Sequence, residues 1–452
     1  MPSDDPGSFR DPASRIVHDG DRVIRLLDSR GREAWQALST SEFFTRATQN
    51  GSLIGSTEIE PPDGFEGALE HPRLPFISYP YEWTFSMLKD AALLQLDLLA
   101  EALGAGLTIK DATPFNIQFD RGRPVFIDIG SFEKYRPGEP WIGYRQFTRQ
   151  FLFPLMLRAW VDLPFQAWMR GDMEGPTAAQ VKQILPLSKR LRPSVLLHVV
   201  LQARMEERMS GESVRQDLRQ AGFSAELILA NVRKLRSLVE SLTTEASKST
   251  WSEYQLCDHV GRDREAKSDF LGSRLEEIEP DRVLDLGAND GHFSRIAAEH
   301  GAHTIAVDGD ETVLDSLYRS SAGASISVVV SDLTDPTPAQ GWAGAERPSL
   351  TERAGPDLVV AYGLIHHLIY TASIPPSSVV AWLRSFGCPV ALEFVAPDDE
   401  MVAKLTANKL EEELHEGRSP APFRAILKES FEITAETSLS DGTRTLLALS
   451  PR

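Results

Sequence analysis

Cysteine is nearly absent from this chain: 452 residues hold two, Cys257 and Cys388. Two thiols cannot build a disulfide framework at this length, so both are expected as buried thiols in a reducing compartment, the cytoplasm. Long apolar runs are missing too, which excludes a membrane-spanning helix and any membrane partner of that kind. Positive charge is scarce, with 47 Lys and Arg against 65 Asp and Glu and a net charge of −18. So acidic a chain is a poor general ligand for nucleic acid phosphates, although a local basic groove stays open. Cys/His spacings of the metal-binding kind and internal repeats are also lacking. The opening residues MPSDDPGSFRDPASR carry no apolar core and so match neither a secretory signal nor a transit peptide. What remains has the composition of an ordinary globular protein, 42% hydrophobic and 25% charged, with length for two to three domains.

The most informative stretch is Arg282–Asp308, RVLDLGANDGHFSRIAAEHGAHTIAVD. An apolar run, Val283–Leu286, meets the turn Gly287-Ala288-Asn289-Asp290-Gly291. A helical pattern follows, and a second apolar run closes on Asp308. This is one βαβ unit of the kind that holds a nucleoside. Its glycines let backbone approach a ligand closely. Asp308 lies 21 residues past Gly287, the spacing of a carboxylate that accepts ribose hydroxyls. A dinucleotide fingerprint requires G-x-G-x-x-G and bare amides for a pyrophosphate. Here Asp285 precedes the turn, which disfavours a pyrophosphate and suits a cationic ligand bearing an amino group.

The run DLGANDG resembles the first motif of the class I S-adenosylmethionine-dependent methyltransferases, D/E-x-G-x-G-x-G, with Asn289 at the middle glycine. Asn is the residue other than glycine that best tolerates positive φ. The resemblance implies that Asp285, Gly287, Asn289 and Gly291 surround the amino acid part of S-adenosyl-L-methionine and that Asp308 binds its ribose. A third strand, Ile326–Ser331, ends on Asp332, which the resemblance assigns to the adenine amino group; a solvated turn aspartate is the plain alternative. The fourth strand, Pro356–Ala361, delivers Tyr362-Gly363-Leu364-Ile365-His366-His367-Leu368. This resembles the fourth methyltransferase motif, and Tyr362 is placed with the cofactor residues. A histidine at that strand end faces the crevice where ligands of open α/β sheets bind, and its pKa suits a general base. His366 and His367 are both candidates, packing or capping being the other use of each. Glu393, on a fifth strand Pro389–Val395, is a candidate for orienting the acceptor or for a loop-facing polar contact. The chain ends in a hairpin pattern, Phe431–Thr437 and Thr443–Leu449 around Asp441-Gly442. Methyltransferases of this class close with such an antiparallel strand.

In the first half, Asp21–Leu27 and Ala34–Leu38 around Asp28-Ser29-Arg30-Gly31 are predicted to form a hairpin. Ser41–Asn50 is predicted helical, and Phe85–Leu103 carries apolar residues at helical spacing up to Gly104. Then comes LTIKDATPFNIQFDRGRPVFIDIGSFE, where Asp111, Asn116 and Asp128 converge at the ends of a small hairpin. D-A-T-P-F-N and D-I-G resemble the catalytic and metal loops of the protein-kinase and aminoglycoside-phosphotransferase superfamily. By that resemblance Asp111 orients an acceptor hydroxyl while Asn116 and Asp128 hold magnesium. A glycine-rich loop and a V-A-I-K-type lysine are not found upstream. From Pro140 to Thr243 the chain reads helical, including Val181–Met209 and Val214–Leu242. The aromatics Trp141, Tyr144, Phe147, Phe151 and Phe153 suit a core more than a ligand platform.

The expected fold is α/β. A seven-stranded Rossmann-like methyltransferase sheet with a terminal antiparallel hairpin spans 265–452. An α+β, mostly helical, kinase-like domain spans 1–245, and 246–264 link the two. The whole-chain order, PYEWTFSMLKDA and KDATPFNIQF ahead of DLGANDG, is similar to that of bacterial nodulation-type methyltransferases. The activity implied is methyl transfer from S-adenosyl-L-methionine to an oxygen or nitrogen of a small metabolite or peptide held partly by the N-terminal domain. The alternative is a kinase-like phosphotransferase or nucleotide-binding protein whose C-terminal domain senses the methyl donor.

Overall fold

The computed structural model describes residues 3–203, 224–244, 258–439 and 442–452. It divides into two compact units, Met1–Glu245 and Ala246–Arg452. Most of the linker expected at 246–264, the ends of the helices expected at Val181–Met209 and Val214–Leu242, Cys257 and Asp441 lie outside the described residues. No helix among the described residues is long and apolar enough to cross a membrane.

The first unit opens with an antiparallel sheet in the order Ser3–Asp4, Ser14–Asp19, Arg22–Leu27, Gly67–His71, Thr57–Ile59. Here the structure corrects a sequence expectation. Arg22–Leu27 pairs with the upstream Ser14–Asp19 across a two-residue turn at Gly20 and Asp21, where Gly20 has φ +59°. Ala34–Leu38 is not a strand but part of the helix Ser29–Ser39. Asp28 explains the difference. The residues read as a turn are a helix start, with the Asp28 carboxylate accepting the Gly31 N–H at 2.9 Å as an N-cap.

The helix Phe85–Gly104 is capped by Thr84, whose hydroxyl accepts the Met87 N–H, and it buries Leu88, Ala91, Ala92, Leu96 and Leu99 completely. Two short antiparallel pairs follow: Leu107–Ile109 with Phe132–Lys134, and Ile117–Asp120 with Arg123–Phe126. The second turns at Arg121 and Gly122, both at positive φ, the geometry of a two-residue hairpin. The rest of the unit is helical. Trp141, Phe147, Phe151 and Phe153 are buried in its core, and the Tyr144 hydroxyl bonds to His198 Nδ1 at 2.7 Å.

The second unit is built on seven strands: β1 (Arg282–Leu286), β2 (His303–Asp308), β3 (Ile326–Val330), β4 (Leu358–Ala361), β5 (Val390–Val395), β6 (Phe431–Ser438) and β7 (Arg444–Pro451). Their order is β3-β2-β1-β4-β5-β7-β6. The first five are parallel, while β7 lies antiparallel between β5 and β6. β1 to β5 are almost wholly apolar, as strands covered on both faces must be. One face buries Val283, Val360, Ala391 and Leu446 under Phe270, Leu271 and Leu275 of the helix α1 (Asp258–Ile278). This is a methyltransferase-like α/β fold with a mixed sheet. Strand order reverses between β1 and β4, with β2 and β3 to one side and β4 and β5 to the other, so the crevice for a ligand lies at the carboxyl ends of those strands. Cys388 is buried.

Candidate functional site

At that crevice is a cavity of about 790 Å³, within the range of small-molecule sites. Its near half is made by the turn after β1. Gly287 (φ +80°) donates its N–H to Val307 O at 2.9 Å, and Ala288 donates to the same carbonyl at 3.0 Å. Asn289 takes φ +49° and donates its N–H to Asp308 Oδ2 at 2.9 Å. Asp308 Oδ1 accepts the Asp310 N–H, also at 2.9 Å. Burial pushes the Asp308 carboxyl above its ordinary range despite these donors. Each carboxylate oxygen has two acceptor positions, so Asp308 retains capacity for further donors.

Gly291, at φ +75°, starts the helix α2 (His292–Glu299). A Cβ there would lie 2.4 Å from Leu317 Cδ1, in the helix α3 (Glu311–Ser320), so the last glycine of the turn is demanded by packing. Asp332, exposed on the cavity wall after β3, accepts the Thr334 N–H and hydroxyl on Oδ1 at 2.8 and 2.7 Å. Its Oδ2 makes no hydrogen bond among the described residues.

Asp285 stands apart from these. It is buried beneath the turn, does not line the cavity, and accepts the Ser294 hydroxyl at 2.6 Å. Burial pushes its carboxyl up to about 7. Tyr362 does line the cavity. Its ring meets Phe293 edge-on, with centroids 5.0 Å apart, and its buried hydroxyl has no partner among the described residues. Asn289 Oδ1 is likewise buried without a partner.

The two histidines part company. His367 lines the cavity, whereas His366 is buried behind it with both ring nitrogens unpartnered and its ring centroid 4.2 Å from that of His367. Burial and the charge of Arg444 pull His367 down to about 4, and His366 is pulled well below its ordinary value by burial and by His367. Both are neutral near pH 7.

Glu393 is fully buried and already engaged. Oε2 accepts Lys267 Nζ and the Gly363 N–H, each at 2.8 Å, and Oε1 faces Arg444 at 3.3 Å. Arg444 also holds Asp399, at 2.8 and 3.1 Å. Burial works against charge on Asp399, but the Arg444 guanidinium outweighs it and brings the carboxyl down to about 2. Lys267, Arg444 and Asp399 all line the cavity, as does Arg264, paired with Asp290 at 3.0 Å. Sequence reading did not find these four. Lys267 lies on α1 and Arg444 on β7, far along the chain from Glu393, and no local pattern links them. Gly309 was missed as well, although it directly follows Asp308 in the crevice.

In the first unit, Asn116 and Asp128 meet through Ser131, and Asp111 lies near enough to feel the charge of Asp128. Asp128 Oδ1 is paired with Arg25 at 2.9 Å, and Oδ2 accepts the Ser131 hydroxyl at 2.5 Å. Asn116 donates its amide to Ser131 Oγ at 3.1 Å. Burial opposes charge on Asp128, yet Arg25 and Ser131 hold its carboxyl below the usual range. The Asp111 carboxyl is raised by burial and by the charge of Asp128. No group of three or more metal-type ligands occurs among the described residues.

Compared with known proteins, the chain is 31% identical over 453 residues to the nodulation protein NoeA of Rhizobium meliloti (strain 1021), covering 97% of this chain and 94% of that one. The chain belongs to the NoeA family. No family model matches it. Among solved structures, this NoeA-family chain is 15% identical to the N-methyltransferase NodS of Bradyrhizobium japonicum WM9 in complex with S-adenosyl-L-homocysteine. That match spans 44% of this chain and 92% of that one, with a TM-score of 0.32. It is 16% identical to magnesium protoporphyrin IX methyltransferase of Synechocystis PCC 6803 with bound SAH, over 42% and 84%, with a TM-score of 0.29. Scores this low do not bear on the fold, which stands on the strand order.

Proposed function

We propose that the second unit is an S-adenosyl-L-methionine-dependent methyltransferase acting on an oxygen or nitrogen of a small-molecule or peptide acceptor. The observation that carries this reading is the turn after β1, held open by positive φ and tied to Asp308, at the mouth of an acidic cavity. The donor set fits a sulfonium nucleoside. Asp308 has spare acceptor positions for ribose hydroxyls, Asp332 Oδ2 is open to an amino group, and the buried Asn289 Oδ1 and Tyr362 hydroxyl lack partners. Asp285 acts from below, fixing α2 through Ser294.

When bound, the donor supplies a methyl group that is already electrophilic. The chain's part is then to align the acceptor, exclude water and receive a proton. His367 is the proton acceptor on this reading, since it lines the cavity and stays neutral. His366 supports it from behind. Glu393, with both oxygens engaged, positions Lys267, Arg444 and the Gly363 N–H and does not touch the acceptor. The first unit serves as a kinase-like scaffold.

The test is mass spectrometry of the purified protein for co-purified methyl donor or its demethylated product. An acceptor screen with isotopically labelled methyl donor follows. Labelled product from an amine or hydroxyl compound supports the reading; a calorimetric titration with S-adenosyl-L-methionine that shows no binding overturns it.

A further inference from the structure

The kinase-type resemblance implies magnesium at Asn116 and Asp128, and these residues do not fit one. Magnesium requires a near-octahedral shell of oxygens. The Asp128 carboxylate is already neutralised by the Arg25 guanidinium on one oxygen and accepts the Ser131 hydroxyl on the other, so a divalent ion there would face a fixed positive charge. Asn116 is joined to Asp128 through a hydroxyl in place of a metal, its amide N–H donating to Ser131 Oγ, which in turn donates to Asp128.

We infer that the Arg25 guanidinium is the cation of this cluster, and that the first unit is assembled without a divalent metal. Arg25 is held where it is by the fold. It sits on Arg22–Leu27, flanked in the sheet by Ser14–Asp19 and Gly67–His71. It is 7% exposed, and NH1 also donates to Ser14 Oγ at 3.1 Å. The same Ser14 hydroxyl donates to Asp11 Oδ2 at 3.0 Å.

Gly130 shows how tightly these groups converge. A Cβ on it would lie 3.1 Å from Arg25 NH1, 3.3 Å from Asp11 Oδ2 and 3.3 Å from Asp128 Oδ1. A side chain on Gly130 would crowd the Arg25–Asp128 pair, which would have to give by a few tenths of an ångström. A guanidinium suits such a place, being always charged and able to reach several acceptors at once. A divalent ion on Asp128 would have to share that carboxylate with a positive charge 2.9 Å away. The inference concerns the first unit alone, so its outcome is independent of methyl transfer by the second.

The experiment titrates the full chain with MnCl₂, read by loss of the free-ion electron paramagnetic resonance signal, and repeats thermal unfolding with MgCl₂ and with magnesium–ATP. The wild type is expected to bind no Mn²⁺ at micromolar concentration and to melt at the same temperature in all three solutions. Arg25→Met removes the internal cation and leaves Asp128 without its ion-pair partner. It is expected to melt lower, to recover with millimolar Mn²⁺, and to bind that ion about tenfold more tightly than the wild type. Arg25→Lys keeps the charge and should remain indifferent to metal. Micromolar Mn²⁺ or magnesium–ATP binding by the wild type overturns the inference, as does a folded Arg25→Met that ignores Mn²⁺. If Arg25→Met does not fold, the wild-type titration decides alone.

Discussion

The Asp308 carboxylate accepts the backbone N–H of Asn289 at 2.9 Å, so the one residue that breaks the glycine pattern is held at φ +49° by the acid that ends the neighbouring strand. Asp308 thus has two tasks, fixing the turn and facing the cavity. Asp308→Ala should weaken S-adenosyl-L-methionine binding by roughly 10- to 100-fold, the loss of hydrogen bonds to a charged group. Asn289→Gly adopts the same φ without cost and removes only the Oδ1 acceptor, so its loss of affinity should be smaller than that of Asp308→Ala. Calorimetric titration of both variants checks this; equal losses in the two would mean that Asp308 acts only through the turn.

Asp285 makes folding of the second unit depend on pH. Its folded pKa is about 7 against an ordinary 3.8. Between those values the folded chain holds a proton that the unfolded chain has released. Stability is therefore full below the lower value and falls as pH rises toward 7, by up to about 1.4 kcal/mol per unit. Asp285→Asn preserves an acceptor for Ser294 and removes the dependence. The variant should resist urea better than the wild type at pH 8, by a few kcal/mol at about the scale of that slope, and no better at pH 4. A variant equally or less stable at pH 8 would show that the carboxylate is not buried as described.

His367 titrates in the opposite sense. With a folded pKa near 4 against 6.5, the unfolded chain takes up a proton over that interval and the folded chain does not. Its contribution to stability is present above pH 6.5 and is lost as pH falls toward 4. Catalysis that uses the neutral ring should be level from pH 6 to pH 8 on this account. His367→Gln should lower kcat by about 100-fold with donor affinity unchanged. A limb in the kcat profile near pH 6.5 that His367→Gln abolishes would contradict the buried, neutral ring.

The buried Glu393 and the half-buried Lys267 and Arg444 join α1, β5 and β7 at the cavity floor. Glu393→Ala leaves two cations without their shared carboxylate, a loss of about 3–5 kcal/mol by analogy with broken buried pairs. Glu393→Leu combined with Lys267→Met should recover part of this, since an apolar replacement of a buried pair is often tolerated. Chemical denaturation of the single and double variants tests it. Strict additivity would mean that the two side chains do not interact.

What could be read in advance follows from how local each signal is. The strand–turn–helix–strand run from Arg282 to Asp308 was legible because apolar runs, glycines and spacing all lie within one segment. The terminal strand pair was legible for the same reason. Which way Asp285 faces was not, because spacing says nothing about which side of a turn a side chain takes. The engagement of Glu393 depends on Lys267 and Arg444, partners that only the folded sheet brings near. Asp28 misled for a physical reason: aspartate favours both turns and helix N-caps, and the choice is made by what Trp35 and Leu38 bury against. Arg25 carried no signal in the sequence, because its partner Asp128 lies about a hundred residues further on and only the fold brings the two together.

Gly291 offers a test that separates backbone strain from packing. Gly291 and Gly301 both have positive φ, +75° and +98°. An alanine at Gly301 would meet nothing within 4 Å, whereas at Gly291 it would press on Leu317 at 2.4 and 2.6 Å. Gly301→Ala should therefore show the left-handed backbone cost alone, about 1–2 kcal/mol. Gly291→Ala should add an overpacking cost of about 1–3 kcal/mol and, by displacing the turn, weaken donor binding as well. Leu317→Ala is destabilising alone, since it leaves a cavity under α3. Combined with Gly291→Ala, however, it opens room for the new methyl. The double variant should then be more stable than the sum of the two losses implies, while Gly301→Ala with Leu317→Ala should be additive. Additivity in both pairs would mean that α2 and α3 are not in contact at this point, and that the glycine ending the turn is there for its backbone freedom alone.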